Sequence, residues 1–223
     1  MTKHYLIVGA SSGIGKAIRE RLVADGNQVV CVSRTSSPAV DVTLEEPAFP
    51  AVEGPIHGLV YCPGSIQLRP FASLSVENFR RDLELNFIGG VRALQNYLPG
   101  LQAEGASVVL FSTVAVRIGM PMHTSVAAAK GAVEGFARSL AAELAPRVRV
   151  NVLAPSLTDT PLAARLLRTD RQREAAAKRH PMARFGQPAD FADAACFLLS
   201  PGSAWMTGQV VHVDGGLSTL RPL

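Results

Sequence analysis

The sequence predicts an α/β fold: a doubly wound, seven-stranded, mostly parallel sheet flanked by helices on both faces. Three observations predict it. Apolar runs rich in Val, Ile and Leu alternate with segments of helical period along the 223 residues. These runs are continuous rather than alternating, the pattern of strands covered on both faces. The first run passes through a glycine-rich turn directly into a helical pattern.

Strands are expected over residues 5–8, 28–32, a short 39–42, 58–62, 108–112, 148–153 and 209–213. Helices are expected over residues 14–24, 76–102, 125–145, 162–178 and 188–199. The first helix follows from Ile14, Ala17, Ile18, Leu22 and Val23, which recur at helical spacing. Residues 43–57 are too short and too rich in proline (Pro47, Pro50, Pro55) for a crossover helix and read as a loop. The long, charged segment at 161–185, which contains the 162–178 helix, reads as a lid. Strands joined by helical crossovers give the Rossmann arrangement, here as one dinucleotide-binding domain over residues 1–223.

A chain that is 48% hydrophobic and 18% charged buries a substantial core. No apolar run reaches membrane-spanning length, and the chain opens on a strand rather than a leader, so a cytoplasmic protein without a membrane partner is expected. The three cysteines, Cys31, Cys62 and Cys196, lie in apolar segments without metal-ligand spacing and read as buried thiols. The net charge of +4 raises nucleic-acid binding as a third-rank reading. The basic residues are mostly dispersed, however, and the denser patch at 165–184 reads as a solvated helical surface, so no nucleic-acid partner is expected.

The opening turn, Gly9-Ala10-Ser11-Ser12-Gly13-Ile14-Gly15, carries the functional signal. Glycine permits a positive φ and close approach of backbone to ligand, and the helix that follows offers N–H groups and a positive dipole end to an anion such as a pyrophosphate. The end of the second strand discriminates between dinucleotides. An acid there suits the ribose hydroxyls of NAD. This chain has Ser33 and Arg34 instead, with no acid before Asp41. A guanidinium fork suits a 2′-phosphate, and Ser12 and Ser33 add hydroxyl donors, so NADP(H) is favoured and NAD is the alternative.

With these segments in view, the chain resembles the short-chain dehydrogenase/reductase family over nearly its whole length. The glycine turn looks like that family's cofactor turn, and Asp41-Val42 like its adenine-contacting pair. Tyr61-Cys62-Pro63-Gly64 stands where the family has Asn-Asn-Ala-Gly, with Gly64 alone retained. The segment from Asn151 through Pro155, Ser156, Thr158 and Thr160 to Pro161 resembles the one that holds the nicotinamide carboxamide, with Ser156 in place of the usual glycine. There the resemblance implies backbone contacts from Thr158 and a hydroxyl contact from Thr160. His180-Pro181-Met182-Ala183-Arg184-Phe185-Gly186 and Val213-Asp214-Gly215-Gly216 are similar to the family's C-terminal signatures.

The family's catalytic set is an Asn, a Ser and a Tyr-x-x-x-Lys pair. Lys130 matches the lysine, Asn86 the asparagine and Thr113 the serine position, while Val126 stands at the tyrosine position. Carbonyl reduction builds negative charge on oxygen, and a positioned acid is worth roughly 10²–10⁴-fold. The resemblance implies that Lys130 holds the nicotinamide ribose, that Thr113 offers a hydroxyl to the substrate oxygen and that Asn86 supports a water chain toward Lys130. Three stand-ins for the missing acid remain open: His123, a hydroxyl at Thr124 or Ser125, and a water held by Thr113 and Lys130. Two functions follow. One is NADP(H)-dependent interconversion of a small carbonyl or alcohol with a non-tyrosine proton source. The other is an NADP(H)-binding sensor or interaction protein with little or no turnover. The small residues around Lys130 suit close helix packing, and the resemblance implies a homodimer or homotetramer.

Overall fold

The computed structural model describes residues 2–103 and 106–221. Six strands, all parallel, form one sheet: β1 (His4–Val8), β2 (Gln28–Val32), β3 (Gly58–Tyr61), β4 (Ser107–Phe111), β5 (Arg149–Pro155) and β6 (Val210–Val213), in the order β2-β1-β3-β4-β5-β6. The helices are α1 (Gly13–Ala24), α2 (Val76–Leu83), α3 (Gly89–Ala103), α4 (Val114–Ile118), α5 (Thr124–Leu144), α6 (Asp170–Arg179) and α7 (Pro188–Leu199). Among the described residues no helix is long and apolar enough to cross a membrane.

The side-chain alternation of the strands divides the core in two. Leu6, Val8, Leu59, Tyr61, Val108, Leu110, Val150 and Val152 face α3 and α5, packing on Ala93, Leu94, Tyr97, Val133 and Ala137. Tyr5, Ile7, Val60, Val109, Phe111 and Leu153 face α1 and α7, packing on Ile18, Leu22, Phe191, Ala195 and Leu198. Both faces of the four central strands, β1, β3, β4 and β5, are therefore dry, which is why these strands read as unbroken apolar runs.

The expected seventh strand, at 39–42, does not form. Val40 and Val42 are buried, but the Val40 N–H donates to the carbonyl of Ser33, and Asp41 closes a local turn onto Thr43. Two apolar side chains, bounded by Pro38 and that Asx turn, anchor a loop without leaving a free ladder edge. The loop at residues 43–57 has no helix; it carries Phe49 and Ile56 onto α3, and the Tyr97 hydroxyl donates to the Pro50 carbonyl.

The helix expected over 76–102 is two helices joined by a π-helical turn, Glu84–Ile88. The Gly89 N–H reaches back five residues to the Glu84 carbonyl. The Leu85 carbonyl, which a regular helix would give to Gly89, instead accepts from the Tyr61 hydroxyl at 2.7 Å. Gly89 is required there, because a Cβ would stand 2.6 Å from that hydroxyl. The expected 162–178 helix likewise divides into a 3₁₀ turn, Pro161–Leu166, and α6, which starts in a Thr169/Gln172 capping box.

Candidate active site

The chain leaves β1 to place β2 on one side and returns to place β3 on the other. Open α/β sheets bind ligands at such a switch point, beyond the carboxyl ends of the strands. A cleft of about 710 Å³ lies there, along the ends of β1 through β5.

The glycine turn forms its floor. Gly9 and Gly13 have positive φ, 87° and 54°. Gly15 lies inside the first turn of α1, and a Cβ on it would stand 2.3 Å from the Gly9 carbonyl oxygen. No acidic side chain occupies that first turn, and the Ser12 side chain does not cap it. The first N–H groups of α1 thus point toward the cleft wall formed by Ser11, Ser12, Gly13, Ile14 and Gly15.

At one end of the cleft stand Ser33, Arg34, Asp41 and Val42. The Ser33 hydroxyl accepts from the Thr35 N–H at 3.2 Å. Asp41 is held ionised: bonds from the Thr43 hydroxyl and N–H keep its carboxyl below the usual range, and the guanidinium of Arg34 adds to the pull. Arg34 itself is exposed at the rim.

At the other end Cys62, Pro63, Gly64, Thr113, Val126, Lys130, Pro155, Ser156, Thr158 and Thr160 line one wall. Lys130 is 7% exposed, and burial lowers its ammonium from its ordinary 10.5 to about 8, with Cys62 and Asp82 pulling the other way. A Cβ on Gly64 would stand 3.6 Å from Lys130 Nζ and 3.2 Å from Asn86 Oδ1, so glycine keeps that corner open. Burial drives the Cys62 thiol up to about 12. Thr113 caps α4 by accepting from the Ala115 N–H at 3.3 Å. Thr158 Oγ1 donates to the Ser156 carbonyl at 2.9 Å. The Thr160 hydroxyl donates weakly to the Thr158 carbonyl and accepts from the Ala163 N–H.

Asn86 does not line the cleft. It sits in the π turn, 1% exposed, where Nδ2 donates to the Asp82 carbonyl and the Ser65 hydroxyl, and Oδ1 accepts from the Ser65 N–H. Behind it lies a polar cluster that sequence reasoning missed: the buried Asp82 carboxylate accepts from the hydroxyls of Ser65 and Ser125. Ser125 is therefore turned away from the cleft, toward α2. His123 does line the cleft, its Nδ1 held by the Pro121 carbonyl at 2.7 Å.

A second feature was not legible either. The Ser156 hydroxyl lies 2.6 Å from His180 Nε2, and His180 Nδ1 lies 2.7 Å from the Ala176 carbonyl. In sequence His180 is only the first residue of a C-terminal signature; α6 brings it back over the end of β5. Arg173 fastens α6 to the Asp159 carboxylate and stacks on Phe185.

A doubly wound sheet with a glycine turn at its switch point and a buried lysine across the cleft defines a class of dinucleotide-dependent oxidoreductases. Residues 43–218 match the family described as enoyl-(acyl carrier protein) reductase, and residues 3–51 the one described as short chain dehydrogenase. The chain belongs to the short-chain dehydrogenase/reductase family and is an oxidoreductase of that type. It is 33% identical to the short-chain reductase protein NovJ of Streptomyces niveus, over 95% of this chain and 92% of that one. A short-chain type dehydrogenase/reductase structure from Mycobacterium ulcerans superposes with a TM-score of 0.90 at 30% identity, covering 98% and 90% of the two chains. A gluconate 5-dehydrogenase from Burkholderia cenocepacia, solved with NADP and tartrate, superposes with a TM-score of 0.90 at 25% identity, over 98% and 96%.

Proposed function

We propose that this chain is an NADP(H)-dependent oxidoreductase that interconverts a small carbonyl compound and its alcohol, using a proton source other than tyrosine. The observation that carries this reading is the glycine turn, packed so closely that the Gly9 carbonyl excludes a Cβ at Gly15, at the head of a cleft that runs from Arg34 to Lys130. The neighbour solved with NADP supports the cofactor class.

In this reading the N–H groups at the start of α1 hold the pyrophosphate, and Gly9, Ser11, Ser12, Gly13, Ile14 and Gly15 shape the seat. Arg34, with Ser12 and Ser33, takes the 2′-phosphate. Asp41 and the Val42 N–H face the adenine. Cys62, Pro63 and Gly64 line the nicotinamide ribose, whose hydroxyls Lys130 binds. Pro155, Ser156, Thr158 and Thr160 border the carboxamide. The cofactor supplies the hydride. Thr113 donates a hydrogen bond to the substrate oxygen as charge develops there. Asn86 positions Ser65 and the Gly64 corner against Lys130 rather than touching substrate. Val126, 6% exposed and without a polar atom, gives the substrate an apolar wall.

A calorimetric titration with NADPH and NADH tests the cofactor, with tighter binding of NADPH expected and the difference abolished in Arg34→Ala. A carbonyl panel tests turnover, with Lys130→Ala expected to abolish it. Equal affinity for the two cofactors overturns the NADP preference, and absence of binding to either overturns the whole reading.

A further inference from the structure

We infer that Ser156 and His180 form the proton relay of this site, with Ser156 as the catalytic hydroxyl and His180 as the residue that charges and positions it. The inference rests on the oxidoreductase reading above and supplies its missing acid.

Four observations carry it. First, the pairing of β4 and β5 runs Phe111 opposite Leu153, and the Ser112 N–H donates to the Leu153 carbonyl at 2.8 Å, so Thr113 lies level with Pro155. Ser156 is thus the first residue past β5, one step beyond the level of Thr113. Parallel neighbours are about 4.8 Å apart. Second, Ser156, Thr113, Val126, Lys130 and His180 itself all line the one cleft. Third, the imidazole is oriented. A carbonyl only accepts, so at the 2.7 Å contact with Ala176 it is His180 Nδ1 that carries hydrogen, leaving Nε2 to face Ser156 Oγ at 2.6 Å. Fourth, His180 is 4% exposed and its Nδ1 is occupied by the Ala176 carbonyl, so the Ser156 hydroxyl is the partner with which Nε2 exchanges a proton.

The charged groups around the pair leave it free to act. On α6, Lys178 and Arg179 are exposed, with Arg179 lining the same cleft, and Arg173 is taken by Asp159. On the loop after β6, whose Gly215 packs on His180, the Asp214 carboxylate accepts from the N–H groups of Gly216 and Ser218. His212 lies further back on β6, and Lys130 stands across the cleft.

In the reducing direction a hydride from the reduced nicotinamide dinucleotide forms the new C–H bond at the carbonyl carbon, and the C=O π pair becomes a lone pair on oxygen. That oxygen takes the Ser156 hydroxyl proton as Oγ takes the Nε2 proton of the imidazolium. His180 ends neutral and is recharged from water through the same hydroxyl. In the oxidising direction neutral Nε2 receives the proton that Ser156 gives up as Oγ draws one from the alcohol. The two directions therefore depend on opposite protonation states of one ring.

The test uses the full chain. With wild type turning over a carbonyl from the panel, His180→Gln and Ser156→Ala are each expected to lower kcat by at least about 10²-fold, the general acid–base contribution, a loss larger than any change in NADPH affinity. The rate of reduction should fall as pH rises and the rate of oxidation climb, and both limbs should vanish in His180→Gln. In cofactor-free wild type, nitrogen NMR of the ring should show Nδ1 protonated and Nε2 accepting a hydrogen bond from Ser156, and Ser156→Ala should abolish that bond. If His180→Gln does not fold, Ser156→Ala, a small change at the cleft surface, carries the kinetic test alone. Near-wild-type kcat and an intact pH limb in the variants, while wild type binds NADPH and turns over, overturn the relay and leave the oxidoreductase reading standing. Failure of wild type to bind NADPH or to turn over any carbonyl overturns both.

Discussion

Gly15 shows how a single missing carbon specifies chemistry. Its Cβ would stand 2.3 Å from the backbone oxygen of Gly9, a residue at φ 87° whose N–H is tied to the Val32 carbonyl at 2.7 Å. Gly15→Ala is expected to push the turn open, destabilising the fold by about 1–3 kcal/mol, as overpacking does, and to weaken NADPH binding much more than tenfold. Thermal unfolding and calorimetric titration read the two effects. An alanine variant that binds as wild type refutes the cradle. This turn was legible in the sequence because its constraint is local: glycine spacing and backbone geometry belong to seven consecutive residues. The Ser156–His180 contact and the Asp82 cluster were not legible, since their partners lie 24 and 43 residues apart and only the folded lid and the α2–α5 packing bring them together.

Most strands and helices were legible within a residue or two, because the central strands are dry on both faces and their runs are unambiguous. Of the three expectations that failed, the 39–42 strand and the 76–102 and 162–178 helices, the first two are instructive. The 39–42 run has the composition of an edge strand, but Val40 spends its N–H on the Ser33 carbonyl, and the sheet ends at β2. The 76–102 helix has continuous helical periodicity, and nothing in that period announces the extra residue of a π turn. What sets the turn is outside it: Asn86 captures the Asp82 carbonyl, and Tyr61 on β3 captures that of Leu85. Burial raises the Tyr61 phenol, so it is a neutral donor there at every working pH. Tyr61→Phe leaves the Leu85 carbonyl buried without that donor and is expected to cost about 1–3 kcal/mol. It should also speed amide hydrogen exchange across residues 84–88, while exchange in α7 stays slow. Uniform exchange would show that Tyr61 is not what holds the turn.

Across the folded protein, the cleft is maintained at the expense of stability, and pH makes that visible. Burial lowers Lys130 from 10.5 to about 8, so between those values the unfolded chain binds a proton that the folded chain has released. Stability attributable to this residue therefore rises with pH over that window, and below it the full penalty of the buried ammonium applies, roughly 3 kcal/mol at 1.36 kcal/mol per pH unit. The thiols act with the opposite sign. Cys62 is raised to about 12 and Cys196 to about 11, so above their ordinary 9.0 the unfolded chain loses protons that the folded chain retains. That retention works against the ionised form, and stability falls. A wild-type profile mixes these terms, but the difference between wild type and Lys130→Met isolates the first. Urea unfolding should find Lys130→Met more stable than wild type at pH 7, with the gap closing toward pH 10.5. A gap that does not change with pH would mean that Lys130 keeps its ordinary proton affinity in the fold. A closing gap is what a functional group looks like energetically: a buried charge that the fold would be steadier without, its Nζ beside Gly64 in the cleft.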